Sequence, residues 1–220
     1  MRLDPREARA VLRCCDFAAL ATQSAKLAGF PFVSHVPFAL DAQLRPVMLL
    51  SALAEHTRNL AADPHASLMA AVPGPDPQAQ PRITLLGEVH GIDAEPALVD
   101  RYRRFHPEAS MWLDFGDFRF YRLEPVRIRL VGGFARAGWI EPAEWPVPPL
   151  SPRTEEALLD ACGSSAGGWS VLGIDREGID LRDESGERRR HDWPKRLDDD
   201  EALAAEVRSV LARLEHGEGR

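Results

Sequence analysis

Residues 30–64 constrain the fold more strongly than any other stretch of this chain. Alternate residues of its first part would share one face of a strand: Phe32, Ser34, Val36 and Phe38. A polar turn at 41–43 precedes a second strand at 46–50, and the pattern then becomes helical over 54–62. We therefore expect a strand–turn–strand hairpin that ends at a helix N-terminus, where free N–H groups suit a phosphate.

Composition excludes several classes of protein. With 220 residues, 45% hydrophobic and 28% charged, the chain has the length and composition of a soluble globular domain with a small second unit. The net charge of -7 argues against broad nucleic-acid binding. No apolar run is long enough to cross a membrane, and the N-terminus lacks a signal core. Three cysteines without metal-ligand spacing favour a reducing cytoplasm and give no metal site.

Strand patterns dominate the sequence before residue 141. The predicted strands are residues 17–22, 30–38, 46–50, 66–72, 82–92, 118–123, 127–131 and 134–140. Helices are expected at 5–15, with Asp4 as the N-cap and Pro5 at the first helical position, and at 54–62 and 95–105. Gly87 is a candidate bulge in its strand, and Gly132-Gly133 is a candidate tight reversal. The spacing favours a closed antiparallel barrel with helices outside it.

The pattern changes after a proline-rich linker at 141–152. A helix should begin at Ser151-Pro152, followed by three short strands and an amphipathic helix over 198–214. We therefore predict two domains, a barrel at 1–145 and a small α+β domain at 146–220.

Hydrogen-bond donors cluster at the start of the helix that follows the second strand. Ser51, His56, Thr57 and Arg58 would surround its free N–H groups, and Arg82 begins a strand that we expect nearby. This mixture of hydroxyl, imidazole and guanidinium groups is suited to an anion. The simpler alternative is that Ser51 caps the helix while His56 and Arg58 are solvated.

Three motifs resemble a known family. They are SHVPF at 34–38, SALAEHTRNLAADP at 51–64 and PRITLLGEV at 81–89. Together they resemble the pyridoxamine 5'-phosphate oxidase-like flavin split barrels, and more narrowly the haem-utilisation (HugZ-like) branch. The resemblance covers about residues 10–140 and the order of the elements. It implies an α+β fold, a split β-barrel with flanking helices and a small C-terminal α+β domain, assembled as a homodimer with FMN at the subunit interface.

Carried over by position, the resemblance assigns eight cofactor-binding residues: Ser34, His35, Val36, Ser51, His56, Thr57, Arg58 and Arg82. The first three would lie along the flavin ring, and those from Ser51 to Arg58 on the phosphate side. His56 stands where the oxidases tend to place a lysine, and Arg82 would contact the cofactor from the other side. The missing lysine, and the missing basic signature near the C-terminus, argue against vitamin B6 oxidation.

Three functions remain open from the sequence. The first is an FMN-dependent oxidoreductase acting on an unidentified small molecule; no residue is singled out as a catalytic acid or base. The second is a haem-binding or haem-degrading protein on the same barrel, with His191 in the basic run 188–191 as a possible ligand. The third is a dimeric binding protein without a cofactor. The simpler interpretation of the basic run is a solvated strand face.

Overall fold

The structure, a computed structural model, describes residues 4–76, 79–132 and 136–216. Its described residues form two compact units. The first belongs to Met1–Glu95 and His106–Pro146, and the second to Pro96–Phe105 and Val147–Arg220. The division of the chain into domains at 145/146 stays a prediction.

The first unit contains three α-helices, a short 3-10 helix (Pro142–Glu144) and one antiparallel sheet within the described ranges. The helices are α1 (Pro5–Arg13), α2 (Glu55–Ala62) and α4 (Ala109–Asp114), whereas α3 (Pro96–Phe105) belongs to the second unit. The strands are β1 (Phe17–Gln23), β2 (Pro31–Pro37), β3 (Ala39–Leu40), β4 (Pro46–Ser51), β5 (His65–Ala71), β6 (Arg82–Ile92), β7 (Phe118–Val131) and β8 (Ala137–Ile140). As predicted, Asp4 caps α1 by accepting a hydrogen bond from the Arg6 N–H at 2.8 Å, and Pro5 is its first residue.

The sheet follows the order β2-β1-β5-β6-β7-β4-β3, with β8 paired to β7. Register places a row of apolar side chains on its inner face: Leu20, Leu68, Leu85 and Ile128. Each is at most 1% exposed, so this row forms the centre of the core. The curled antiparallel sheet with its helices confirms the predicted α+β split barrel.

The predicted hairpin between residues 30–38 and 46–50 is wrong in its pairing. β2 pairs with β1, and only the two residues of β3 form a hairpin with β4. The Phe38 N–H donates to the Asp16 carbonyl at 3.0 Å, which ends β2 beside β1. The Asp41 carboxylate then accepts the N–H groups of Gln43 and Arg45, which holds the tight turn into β4.

Two predicted strands, 118–123 and 127–131, are one strand, β7. The strand continues through the proline between them because β7 has a bulge there, where its register with β6 shifts between Leu86 and Gly87. A Cβ on Gly87 would lie 2.0 Å from the Glu124 carbonyl oxygen, so this close approach requires glycine. The predicted bulge at Gly87 is therefore confirmed, whereas part of the predicted Gly132-Gly133 reversal lies outside the described residues.

The second unit packs helices against a four-stranded antiparallel sheet of order β12-β11-β10-β9. Its strands are β9 (Ser165–Ala166), β10 (Trp169–Asp175), β11 (Gly178–Asp183) and β12 (Arg188–Asp192), and its later helices are α5 (Pro152–Cys162) and α6 (Asp200–Glu215). Side-chain caps begin both helices: Ser151 accepts from the Thr154 N–H, and Asp199 accepts from the Ala202 N–H. Across the described part of the chain, no helix is long and apolar enough to span a membrane.

Candidate functional site

Strand β2 carries the predicted ring-side residues along an open edge. It pairs only with β1 within the described residues, so the backbone groups of its other edge have no strand beside them. Ser34 is half-buried and Val36 is 1% exposed, both on the inner face. His35 is exposed on the opposite face and stacks on Phe17, with ring centroids 5.0 Å apart. Free N–H and C=O groups along a strand edge can pair with the polar edge of a planar ligand.

His56 connects this strand to helix α2. Its Nδ1 lies 3.0 Å from the Ser34 hydroxyl oxygen, so the two predicted segments meet at this contact. Its Nε2 is buried and has no hydrogen-bond partner within the described residues. Burial lowers the pKa of His56 below the ordinary value of 6.5, because it disfavours the charged ring. The group at the lysine position is therefore an imidazole that is mostly neutral at neutral pH.

The start of α2 has no side-chain cap. Its N-cap residue is Ala54, so the alternative in which Ser51 caps the helix is wrong. The Ser51 hydroxyl instead donates to Asp117 Oδ2 at 2.5 Å and accepts from the Leu53 N–H at 3.1 Å. The buried Thr57 hydroxyl donates to the Ser51 carbonyl at 2.7 Å. Both hydroxyls are therefore engaged in shaping the loop, and the helix N–H groups are the donors that no side chain caps.

Charges around the start of α2 have both signs. Asp117 lies against Ser51, and Glu55 occupies the first turn of the helix. Lys26 Nζ is 2.6 Å from Glu55 Oε2 and 65% exposed, and Arg58 is exposed. Sequence analysis missed Lys26 and Asp117. Lys26 is one of only two lysines in the chain, and this scarcity was the one signal that pointed to it.

Arg82 lies elsewhere in the sheet. Its strand β6 is flanked by β5 and β7, so it does not pair with β4, the strand that ends at Ser51. Along β7, Ser51 pairs with Phe118 whereas Arg82 pairs with Val131, thirteen residues away. This separation corresponds to about 40 Å of strand at roughly 3.3 Å per residue. The structure therefore brings the segment 51–58 to Ser34 but does not bring Arg82 of the same chain to it.

His191 belongs to the second unit and lies on β12. Its ring meets the edge of Trp193, with centroids 5.7 Å apart. Burial lowers the pKa of His191, and the positive charge of Arg213 makes a smaller contribution in the same direction. Within the described residues no group of three or more histidine, cysteine or acidic side chains is arranged to hold a metal ion.

Comparison with known proteins gives consistent matches. The CREG β-barrel family model matches residues 1–146. Over 139 residues, the chain is 41% identical to the chloroplastic non-canonical heme oxygenase HOZ of Arabidopsis thaliana. That match covers 62% of this chain and 43% of the relative, so the chain spans less than half of the relative's length.

Two solved structures match nearly the whole chain. The protein Atu2129 of Agrobacterium tumefaciens, of unknown function, is 25% identical with a TM-score of 0.72, and the match covers 92% of this chain and 94% of that one. A heme binding protein of Mycobacterium smegmatis is 26% identical with a TM-score of 0.62, and covers 98% and 99%. These similarities confirm that the three motifs identify a split-barrel family with haem-related members.

Proposed function

This chain belongs to the CREG β-barrel family, and we propose that its barrel unit binds a redox cofactor, FMN, and acts as an oxidoreductase on a small molecule. The observation that carries this proposal is the contact between His56 Nδ1 and the Ser34 hydroxyl. It joins an open strand edge to an uncapped helix start. A ligand with a planar hydrogen-bonding ring and a phosphate tail matches both parts at once.

The residues of this chain would position the cofactor rather than react with the substrate. The backbone of Ser34, His35 and Val36 would lie along the ring. The first-turn N–H groups of α2 would face the phosphate, with Arg58 as an exposed cation beside them. When bound, FMN would supply hydride or electron transfer.

Lys26 is the residue of this chain that we propose in place of the missing lysine. It already lies against Glu55 in the first turn of α2, and its high exposure leaves the ammonium group free to turn toward a phosphate. A lysine ammonium binds phosphate as a point charge and needs no fixed orientation. His56, whose pKa is lowered by burial, would then serve mainly as a neutral hydrogen-bonding group.

A shared phosphate site that includes Arg82 requires a second copy of the chain. Arg82 and Ser51 lie at opposite ends of β7 in one chain. We therefore propose a homodimer in which Arg82 comes from the partner subunit. A cytoplasmic location likewise stays a prediction from the cysteine content.

Haem is the second candidate cofactor. A relative 41% identical over 139 residues is a heme oxygenase, and a heme binding protein aligns with nearly the whole chain. These similarities support haem independently of the site. A cofactor-free binding protein is the remaining alternative.

The test is the absorption spectrum of the purified protein, followed by titration of cofactor-free protein with FMN, riboflavin and hemin. Bound flavin gives a yellow protein, and bound haem gives a strong Soret band. We expect FMN to bind more tightly than riboflavin, because riboflavin lacks the phosphate. Hemin binding without FMN binding would replace the flavin proposal with the haem proposal. Binding of neither would leave the cofactor-free alternative.

A further inference from the structure

A groove of about 460 Å³ opens on the outer face of the barrel sheet, across β1, β5 and β6. Two rows of paired residues form its floor and one end. Ala21, Ser67 and Leu86 are in register and form the floor. His65 and Glu88 pair across the strands at the end. None of the eight predicted cofactor-binding residues lines the groove, so the groove is separate from the cofactor site described above.

The bulge in β7 builds one wall of the groove. Val126, the extra residue at the register shift, is 56% exposed and lines the groove. Gly87 lines it too, where the backbones of β6 and β7 approach too closely for any side chain. Bulges occur preferentially where a sheet re-aims side chains at a site. The wall and the floor therefore end at one carboxylate, that of Glu88.

Glu88 has no permanent cation as a partner within the described residues. Its carboxylate lies 2.9 Å from His90 Nε2 and 3.9 Å from His65 Nε2, and histidine is charged only when protonated. His65 Nδ1 meets Asp63 Oδ1 at 2.7 Å. The hydrogen bond that the His65 ring donates to Asp63, and then the negative charge of Asp63, raise the pKa of His65.

On the neighbouring strand β7, the arginines closest to this end of the groove have other contacts. Arg127, which pairs with Leu86 of the floor, lies over the ring of Trp139 at 5.3 Å from its centroid. Glu124 of β7 pairs with Glu88 in register, and Arg122 pairs with His90. Arg122 and Arg45 both bind Glu124, at 2.8 and 3.1 Å. Arg45 also binds Asp41, at 2.7 Å. The charges of the two arginines are thus directed to Glu124 and Asp41, while Glu88 and Asp63 depend on the two histidines. Once those histidines are neutral, two carboxylates at the groove end carry uncompensated charge.

We propose that this groove binds a planar organic cation, an aromatic ring system that carries an amidine or ammonium group. The ring would lie on the floor of Ala21, Ser67 and Leu86, against Val126. The cationic group would donate to Glu88, forming the charge-assisted hydrogen bonds that a carboxylate accepts best. The volume lies within the range of small-molecule sites, about 300–1,000 Å³.

Benzamidine is the probe, with benzamide as its neutral isostere and benzoate as its anionic counterpart. Titration of the full chain by NMR or calorimetry at pH 8 should show benzamidine binding, with benzamide roughly tenfold weaker and benzoate absent. Benzamidine affinity should fall as pH is lowered through the raised pKa of His65, because the protonated His65 ring competes for Glu88 and Asp63.

Two variants and one control decide the proposal. Glu88→Gln should weaken benzamidine binding about tenfold by removing the charge. Ser67→Leu should block binding by filling the floor while leaving every charge in place. Glu141→Gln, an exposed glutamate outside the groove, should leave affinity unchanged. The proposal is overturned if benzamide or benzoate binds as well as benzamidine, if both groove variants bind normally, or if the folded wild type shows no saturable binding.

Discussion

Several arginines of the barrel unit are exposed without a carboxylate partner, whereas the second unit has arginines buried against carboxylates. On the barrel unit, five arginines have no carboxylate partner among the described residues: Arg58, Arg82, Arg119, Arg127 and Arg129. Two of them, Arg127 and Arg129, lie 5.3 Å from the ring centroid of Trp139, which is 47% exposed. In the second unit, Arg190 is 3% exposed and is held by Asp175 and Asp180. Arg101 and Arg104 likewise bind Glu155.

This difference separates arginines that maintain a fold from arginines that remain available to a ligand. A buried guanidinium must be neutralised, and its removal or that of its partner leaves an uncompensated charge. An exposed guanidinium is well solvated and costs little to remove. Substitutions that break a buried arginine–carboxylate pair of the second unit should therefore lower stability. Substitutions of the exposed, unpaired arginines of the barrel unit should instead leave stability nearly unchanged, and those that contact the ligand should weaken binding.

The largest expected effect is on stability in the second unit. Glu155 is 7% exposed, binds two arginines and accepts the Ile174 N–H at 2.9 Å. Glu155→Ala should lower the free energy of unfolding by about 3–5 kcal/mol, because both arginines lose their carboxylate. Denaturant unfolding followed by circular dichroism measures this loss.

Arg129→Ala in the barrel unit is the matched control, and its change should stay within about 0.5 kcal/mol. Glu155→Gln keeps an oxygen for the Ile174 N–H but removes the charge, so its loss should lie between these two. Equal losses for Glu155→Ala and Arg129→Ala would remove the distinction between the units.

The next effect is on cofactor binding by the barrel unit. Arg82→Ala and Lys26→Ala should each weaken FMN binding by roughly tenfold to a hundredfold, since a charged hydrogen bond contributes about 1.5–3 kcal/mol. Calorimetric titration of cofactor-free protein measures the change. Ser51→Ala should cost less, about 1 kcal/mol, because it removes a neutral group.

Riboflavin distinguishes a phosphate contact from a structural effect. A residue that binds the phosphate should weaken FMN and leave riboflavin unchanged. Equal losses for both ligands would place Arg82 or Lys26 at the ring or in the fold. A folded monomer that bound FMN as tightly as a dimer would contradict the role proposed for Arg82 of the partner subunit.

A smaller effect concerns the pH dependence of FMN binding. If His56 meets the phosphate as imidazolium, FMN affinity should fall as pH rises through the pKa of this histidine. Burial lowers that pKa below 6.5, so the fall should begin on the acidic side of neutrality. His56→Lys should hold or improve affinity and flatten the profile between about pH 5 and 8. A wild-type profile that is flat over the same range would assign His56 a neutral role.

Local features of the sequence predicted most elements of the fold. The cap at Asp4, the cap at Ser151 and both ends of β6 coincide with the structure, because caps and alternation depend on neighbouring residues. The pairing of β2 with β1 was not predicted, because alternation shows which face is buried and not which strand lies beside it. Likewise, the proline in β7 predicted the end of a strand, but the strand continues because of the bulge opposite Gly87.

The site was harder to predict than the fold. The run 188–191 was interpreted as a solvated basic face, but Arg190 is buried between two aspartates supplied by other strands. Lys26 reaches Glu55 across twenty-nine residues of sequence, and Asp117 reaches Ser51 across sixty-six. Contacts between distant residues of this kind leave no local periodicity. The resemblance placed His56 and Ser34 beside different parts of one cofactor, and their side chains are in contact in the structure.

The smallest expected effect concerns a paired arginine on the surface of the barrel unit. Glu124 accepts hydrogen bonds from Arg122 at 2.8 Å and Arg45 at 3.1 Å, and its side chain is 42% exposed. Desolvation alone would raise its pKa, but the Arg122 hydrogen bond and the charge of Arg45 outweigh it and lower the pKa. The stabilisation is therefore complete above the unfolded pKa of 4.5 and is lost as pH falls through the lower folded value.

A double-mutant cycle with Arg45→Ala and Glu124→Gln should give a coupling below about 1 kcal/mol at pH 7, decreasing toward zero in acid. A coupling as large as the loss at Glu155 would show that exposure does not decide which arginines maintain the fold.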